Sequence, residues 1–137
     1  MILSAFAPYR NIGILIIRLG LGAMYMFHGY PKLFGGYERW EWLGQQMQLI
    51  GIDFIPTFWG FMASVSEFVG GLFIILGFMS KPTTIVLTFT MIIAAMYKFN
   101  IGEGLFGASQ PIEMAIVFIG LFFTGPGKYS LDKLIFK

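Results

Sequence analysis

A few charged residues lie inside the long apolar stretches of this chain. Arg18 lies in the first stretch, Glu67 in the second and Glu113 near the start of the fourth. A charged side chain at the middle of a membrane-spanning helix costs about 2.5–3.5 kcal/mol, so such residues usually face a partner or a polar cavity. Acids and bases placed in this way can form ion pairs, hold a polar ligand or transfer protons.

Helix geometry indicates which of these charges can meet. At 1.5 Å of rise per residue, Arg18 lies about 9 Å from one membrane surface and Glu67 about 15 Å from the other. Across a hydrocarbon layer of about 30 Å, the two backbones then differ in depth by about 6 Å, which an arginine side chain can span. We therefore expect an Arg18–Glu67 ion pair between the first two spans. Such a pair can act in function, or it can only fix the register of the helices.

A second polar cluster is expected nearer the other surface. His28 and Lys32 close the first span, and Glu113 lies at a similar depth in the fourth. For His28 the simpler alternative is an interfacial histidine with its hydrogen bonds satisfied. Tyr25 shares a helix face with Arg18. No catalytic role is assigned, and the candidate buried polar or ligand-binding residues are Arg18, Tyr25, His28, Lys32, Glu67 and Glu113.

Small residues recur on the same helix faces as these charges. In lipid, small residues allow helices to approach closely, so we expect these faces to point into the protein. The three stripes are Arg18, Gly22, Tyr25 and Gly29 on the first span, Gly60, Ser64, Glu67 and Gly71 on the second, and Glu113, Gly120 and Thr124 on the fourth.

The composition is that of an integral membrane protein. The chain is 57% hydrophobic and 12% charged, whereas soluble domains carry about 25% charged residues. A net charge of +2, dispersed along the chain, argues against a nucleic-acid partner. Because the chain has no cysteine, it cannot by itself form a thiolate metal site or bind an iron–sulfur cluster through thiolates. Its one histidine cannot supply both axial ligands of a haem. We expect no metal and no cofactor held within the chain alone.

Apolar segments of membrane-spanning length predict an all-α, four-helix integral membrane bundle in one domain, residues 1–137. The predicted spans are residues 12–29, 57–79, 82–99 and 110–124, with a flexible loop at residues 102–107. Between the first two spans, Trp40, Leu43, Met47 and Ile50 recur at helical spacing. This pattern predicts a short amphipathic helix at the membrane surface, either a plain surface segment or a cap over a pocket.

Basic residues predict the orientation, because short cytoplasmic loops carry more Lys and Arg. Four spans place both termini on one side. That side carries five basic residues and the other carries three, so we expect both termini in the cytoplasm and the protein in the cell membrane. The five are Arg10, Lys81, Lys128, Lys133 and Lys137, and the three are Lys32, Arg39 and Lys98.

Several short segments with glycine or charged residues are distributed over most of the chain. They are residues 18–22 (RLGLG), 28–29 (HG), 32–35 (KLFG), 67–72 (EFVGGL), 76–77 (LG), Glu113 and 125–132 (GPGKYSLD). In these segments and in their order the chain resembles the DoxX family of small four-helix membrane proteins. One departure is visible: many relatives carry a histidine at the end of the third span, where this chain has Met96-Tyr97-Lys98.

The resemblance implies a link to membrane oxidoreductases. Relatives act as membrane subunits of quinol oxidase and thiosulfate:quinone oxidoreductase complexes, and one is linked to oxidative-stress defence. By that resemblance we expect an accessory subunit that handles quinone or protons, works with a membrane or soluble redox partner, and can form a homo-oligomer. Two alternatives stay open: a non-catalytic scaffold or assembly protein, in which the charges only fix register, and a small transporter or channel, in which they line a path.

Overall fold

Apolar segments in lipid must satisfy their backbone hydrogen bonds internally, and this chain does so with helices. The computed structural model describes residues 3–136. No strand occurs in that range. The elements are a 3-10 helix at Leu3–Tyr9, α1 (Arg10–Leu33), α2 (Tyr37–Gly44), a 3-10 helix at Gln45–Ile50, α3 (Pro56–Leu76), α4 (Ser80–Asn100), α5 (Gly104–Thr124) and α6 (Leu131–Ile135).

Four helices are long and apolar enough to cross a membrane: α1 with the 3-10 turn before it, α3, α4 and α5. The predicted four-helix membrane fold is therefore confirmed. The loop predicted at residues 102–107 is wrong in extent, because α5 already begins at Gly104. Gly102 and Gly104 take positive φ values of 84° and 67°, and this lets the chain reverse within a few residues.

Glycines bring α1 and α3 into backbone contact. A Cβ on Gly22 would lie 2.5 Å from the carbonyl oxygen of Gly71, and a Cβ on Gly29 would lie 2.6 Å from the amide nitrogen of Phe68. Only residues without a side chain permit this approach. The predicted inward stripes on α1 and α3 are confirmed, since Gly22, Gly29 and Gly71 are all buried.

The core lies where α1, α3, α4 and α5 converge. Tyr25 of α1 meets Phe118 of α5 edge to face, with ring centroids 5.0 Å apart. The Tyr25 hydroxyl donates a hydrogen bond to the Met91 sulfur of α4 at 3.1 Å. Leu87 and Phe118 have no exposed surface. These contacts set the relative levels of α1, α4 and α5.

Residues Tyr37–Ile50, comprising α2 and the following 3-10 helix, form a cap over one end of the bundle. The predicted short helix between the first two spans is present here. The Trp40 indole donates to the carbonyl oxygens of Lys32 and Leu33 at 3.1 and 3.2 Å. A Cβ on Gly60 would overlap the Trp40 carbonyl. The cap is therefore fixed to the ends of α1 and α3 by backbone contacts. We call this end of the bundle the cap side and the end carrying α6 the tail side.

We expect Gly29→Ala to destabilise the bundle, because the added methyl group collides with the backbone of α3. Gly13→Ala is the matched control: its Cβ meets nothing within 4 Å, and the change should stabilise the helix by about 0.5–1 kcal/mol. Thermal unfolding of both purified variants in detergent measures the difference. Equal melting temperatures would contradict the close α1–α3 approach.

Candidate functional site

Arg18 binds four backbone carbonyl groups at the tail side. Its Nε donates to Ile74 O at 3.0 Å and Nη2 to Ile75 O at 2.7 Å, both in the last turn of α3. Its Nη1 donates to Pro126 O and Tyr129 O at 2.9 and 2.7 Å. The carbonyls at a helix C-terminus lack intrahelical partners and carry partial negative charge, so a guanidinium satisfies them well. Arg18 thus ties the end of α3 to the segment after α5.

The predicted Arg18–Glu67 pair is wrong. Gly29 packs beside Glu67 and Phe68 of α3, and eleven residues of helix, about 16 Å, separate Gly29 from Arg18. The depth estimate assumed that residues 12 and 57, the predicted starts of the two spans, lie at the two opposite membrane surfaces. The glycine contacts instead place Arg18 beside the C-terminus of α3, far from Glu67.

Lys32 is the partner of Glu67. Its ammonium group donates to both carboxylate oxygens at 2.9 and 2.8 Å. The Glu67 side chain is 5% exposed and that of Lys32 is 26% exposed. The acid is therefore buried within the bundle, while the base reaches it from the cap-side end of α1 and keeps part of its surface accessible.

The predicted cluster of His28, Lys32 and Glu113 does not form. Lys32 is engaged by Glu67, and His28 is exposed with its ring against Phe27. Glu113 is exposed and makes no hydrogen bond or ion pair with any residue from 3 to 136. The expectation that the stripe of Glu113, Gly120 and Thr124 points inward is also wrong, because all three are exposed.

A cavity of about 440 Å³ lies between the cap, α3 and α4, within the range typical of small-molecule sites, roughly 300–1,000 Å³. The Lys32–Glu67 pair forms part of its wall. Its other side chains are mainly aromatic and aliphatic, with a few polar groups. They are Arg39, Trp42, Leu43, Gln46, Met47, Phe58, Trp59, Met62, Ala63, Ser66, Val86, Phe89, Thr90, Ile93, Ala94, Tyr97 and Lys98.

Positive charge prevails around this cavity. Lys32, Arg39 and Lys98 line it, and among the lining side chains that the structure describes Glu67 is the one acidic residue. The Arg39 guanidinium lies over the Trp42 ring, 5.5 Å from its centroid, and Lys98 pairs with Glu103 at 3.1 Å. The arrangement favours a ligand with an apolar body and an electron-rich oxygen.

Most lining residues were not among the sequence-based candidates. Lys32 and Glu67 line the cavity, whereas Arg18, Tyr25, His28 and Glu113 do not. Trp42 and Trp59 fit an interfacial aromatic belt equally well, so their type alone does not reveal a pocket. The sequence feature that indicated a pocket was the amphipathic segment from Trp40 to Ile50, which belongs to the cap over the cavity.

Sequence comparison identifies the family. The sequence model of the DoxX family matches residues 13–100. This chain belongs to the DoxX family. It is 30% identical over 131 residues to inner membrane protein YqjF of Escherichia coli K12, covering 93% of this chain and 95% of YqjF. It is 25% identical over 136 residues to inner membrane protein YphA of the same strain, covering 93% and 94%. No solved structure matches the chain significantly.

With four membrane-spanning helices, this DoxX protein is a multi-pass membrane protein in contact with the lipid bilayer. Tyr97 and Lys98, near the end of α4, both line the cavity. The Tyr97 ring meets the Trp42 ring of the cap edge to face, with centroids 5.7 Å apart.

We expect Arg18→Gln to lower the free energy of unfolding by about 3 kcal/mol or more, because buried carbonyl groups lose a charged donor. Arg10→Gln, at the exposed start of α1, should change it by less than about 0.5 kcal/mol. Denaturation in mixed detergent micelles measures both. An Arg18→Gln variant as stable as Arg10→Gln would remove the assigned role.

We expect Lys32→Met alone to destabilise the bundle by about 3–5 kcal/mol, since it leaves the buried Glu67 carboxylate unpaired. The double change Lys32→Met with Glu67→Leu should cost much less, because it also removes the buried acid. The same unfolding assay tests this by a double-mutant cycle. Additive effects would mean that the two side chains are not coupled.

Proposed function

We propose that this DoxX protein binds the head group of a quinone in the cap cavity, as an accessory membrane subunit of an oxidoreductase system. The observation that carries the proposal is a buried acid–base pair, Lys32–Glu67, in the wall of an aromatic cavity beside the lipid. Quinones combine an apolar ring and tail with two carbonyl oxygens. The cavity has aromatic and aliphatic side chains for the apolar parts and basic side chains for the oxygens.

Access from the bilayer supports the proposal. Met62 of α3, and Val86 and Phe89 of α4, line the cavity yet remain 42%, 44% and 47% exposed. These side chains border an opening between the two helices at membrane level. A ligand dissolved in the bilayer can enter there, and an isoprenoid tail can remain in lipid while the ring reaches Lys32.

Lys32 and Glu67 have the chemistry to handle protons. An ammonium group has three N–H donors, and Lys32 directs two hydrogen bonds at Glu67. The remaining donor can bind a carbonyl oxygen of the ligand. Reduction of a quinone to a quinol takes up two electrons and two protons. The ion pair provides an acid and a base beside the point where those protons are exchanged.

The electrons require a redox partner. With no cysteine and one histidine, the chain has few ligands for the usual electron-transfer centres. We propose that a membrane or soluble partner carries the redox centre and that this DoxX protein supplies the quinone site within the membrane.

The basic residues suggest the orientation. Among residues 3–136, the tail side carries Arg10, Lys81, Lys128 and Lys133. The cap side carries three basic residues, of which Lys32 is committed to the ion pair with Glu67. By the preference of Lys and Arg for cytoplasmic loops, we propose that the tail side faces the cytoplasm and the cavity opens in the outer half of the membrane.

We expect decylubiquinone to quench the tryptophan fluorescence of the purified protein, because Trp42 and Trp59 line the cavity. Lys32→Met should weaken binding about tenfold, which corresponds to one lost hydrogen bond to a charged donor. Ala63→Phe, which fills the cavity from α3, should abolish saturable quenching. Lys128→Met on the tail side is the matched control and should bind as the native protein does.

Each outcome of the titration has a clear meaning. Saturable quenching that Lys32→Met and Ala63→Phe leave unchanged would place any quinone outside the cap cavity and contradict the proposal. No saturable binding at all, from a native complex that also copurifies without quinone, would favour a scaffold protein. Melting temperatures of the variants, measured in parallel, separate lost binding from lost folding.

A further inference from the structure

Glu113 is an acidic residue at mid-span that has no hydrogen-bond or ion-pair partner among residues 3–136. It is the tenth residue of the 21-residue helix α5, about 13 Å from the cap-side end. Two residues, or about 200° of helix rotation, separate it from Pro111 on one side and Ala115 on the other. Both of those residues are buried. The carboxyl group therefore points away from the bundle, at a depth where lipid offers it no hydrogen bond.

His28 lies at nearly the same depth on the antiparallel helix α1. The contact between the Tyr25 and Phe118 rings aligns the two helices. Towards the cap side, His28 lies three residues or about 4.5 Å beyond Tyr25, and Glu113 lies five residues or about 7.5 Å beyond Phe118. The two backbones thus differ in depth by about 3 Å. His28 is exposed, and neither side chain is paired with the other or with another charged group between residues 3 and 136.

Both helices also present open glycines to the outside. An added Cβ would meet nothing within 4 Å at Gly13 or Gly20 of α1, or at Gly120 of α5. Such surfaces allow another helix to approach closely in lipid. Open glycines alone would accept many different helices. The identity of the helix that packs there must therefore be decided by the unpaired Glu113 and by His28, which lies at a matching depth.

We infer that these two faces pair between two copies of this chain. A two-fold axis along the membrane normal keeps every residue at its own depth, so residues can meet across the axis only if their depths match. In this arrangement α1 of one protomer lies against α5 of its partner, and the contact forms twice. His28 of one protomer then donates to Glu113 of the other, which gives the mid-span carboxyl a charge-assisted hydrogen bond. The dimer is independent of the proposed quinone site, because neither residue lines the cap cavity.

The absence of native cysteine permits a direct test in membranes. One tagged copy carries Met24→Cys, and a second copy with a different tag carries Gly120→Cys. Both positions are exposed and lie at matching depth by the Tyr25–Phe118 alignment, and both copies retain His28 and Glu113. Mild oxidation should give a disulfide-linked dimer that carries both tags.

The control pair replaces Met24→Cys with Ile92→Cys. Ile92 is exposed on α4 and adjoins Met91, which contacts Tyr25, so its depth matches while its helix face differs. We expect little cross-linking from this pair. Adding Glu113→Gln to both copies of the test pair should lower the cross-linked yield about fivefold or more. The monomer melting temperature should not fall, because Glu113 has no partner within the described part of its own chain.

A charge exchange makes the test specific. His28→Glu alone and Glu113→His alone should each lose the cross-link, and both changes in the same chain should restore it. Equal yields from the Met24→Cys and Ile92→Cys pairs, or a yield that Glu113→Gln does not change, would overturn the inference. Cross-linking of Gly120→Cys to a different protein, with no mixed-tag dimer, would also overturn it.

Discussion

The close contact between α1 and α3 is the constraint on which the rest of the structure depends. Gly22 and Gly29 let the two backbones approach within a side chain's width, and this fixes how far one helix is displaced along the other. The displacement places Arg18 at the C-terminus of α3 and Lys32 beside Glu67. Both polar contacts therefore follow from the register in which α1 packs against α3. The same register places the Lys32–Glu67 ion pair in the cavity wall.

The hydrocarbon environment explains how the charges are distributed. A charged group in lipid must find a partner, and the bundle supplies one at each end. At the tail side, Arg18 satisfies carbonyls of α3 and of the segment after α5. That segment also contacts the start of α4, since the Asp132 carboxylate accepts hydrogen bonds from the backbone amides of Met79 and Ser80. At the cap side, the Lys32–Glu67 pair is partly open to a cavity. Charged hydrogen bonds thus join backbone segments at the tail side, whereas at the cap side they form part of the wall of a cavity.

The parts of the fold that the sequence predicted well rest on local rules. The lengths and hydropathy of the spans predicted four membrane helices, and the spacing of Trp40, Leu43 and Met47 predicted the short helix in the cap. The errors came from relations between helices. The depth estimate paired Arg18 with Glu67 because it took residues 12 and 57, the predicted starts of the two spans, to mark the two opposite membrane surfaces. The small residues near Glu113 suggested an inward face, although Gly120 leaves open space instead of a contact.

By itself the sequence determined the class of molecule: a low content of charge and long apolar segments force a helical membrane protein, because lipid leaves the backbone no other partner. It also determined which residues were costly to place, such as Arg18 and Glu67. Only the tertiary structure decided their partners, since register and rotation depend on the fit of whole helix surfaces. It also decided that the cap, α3 and α4 enclose a cavity, because residues distant in sequence must converge to form one.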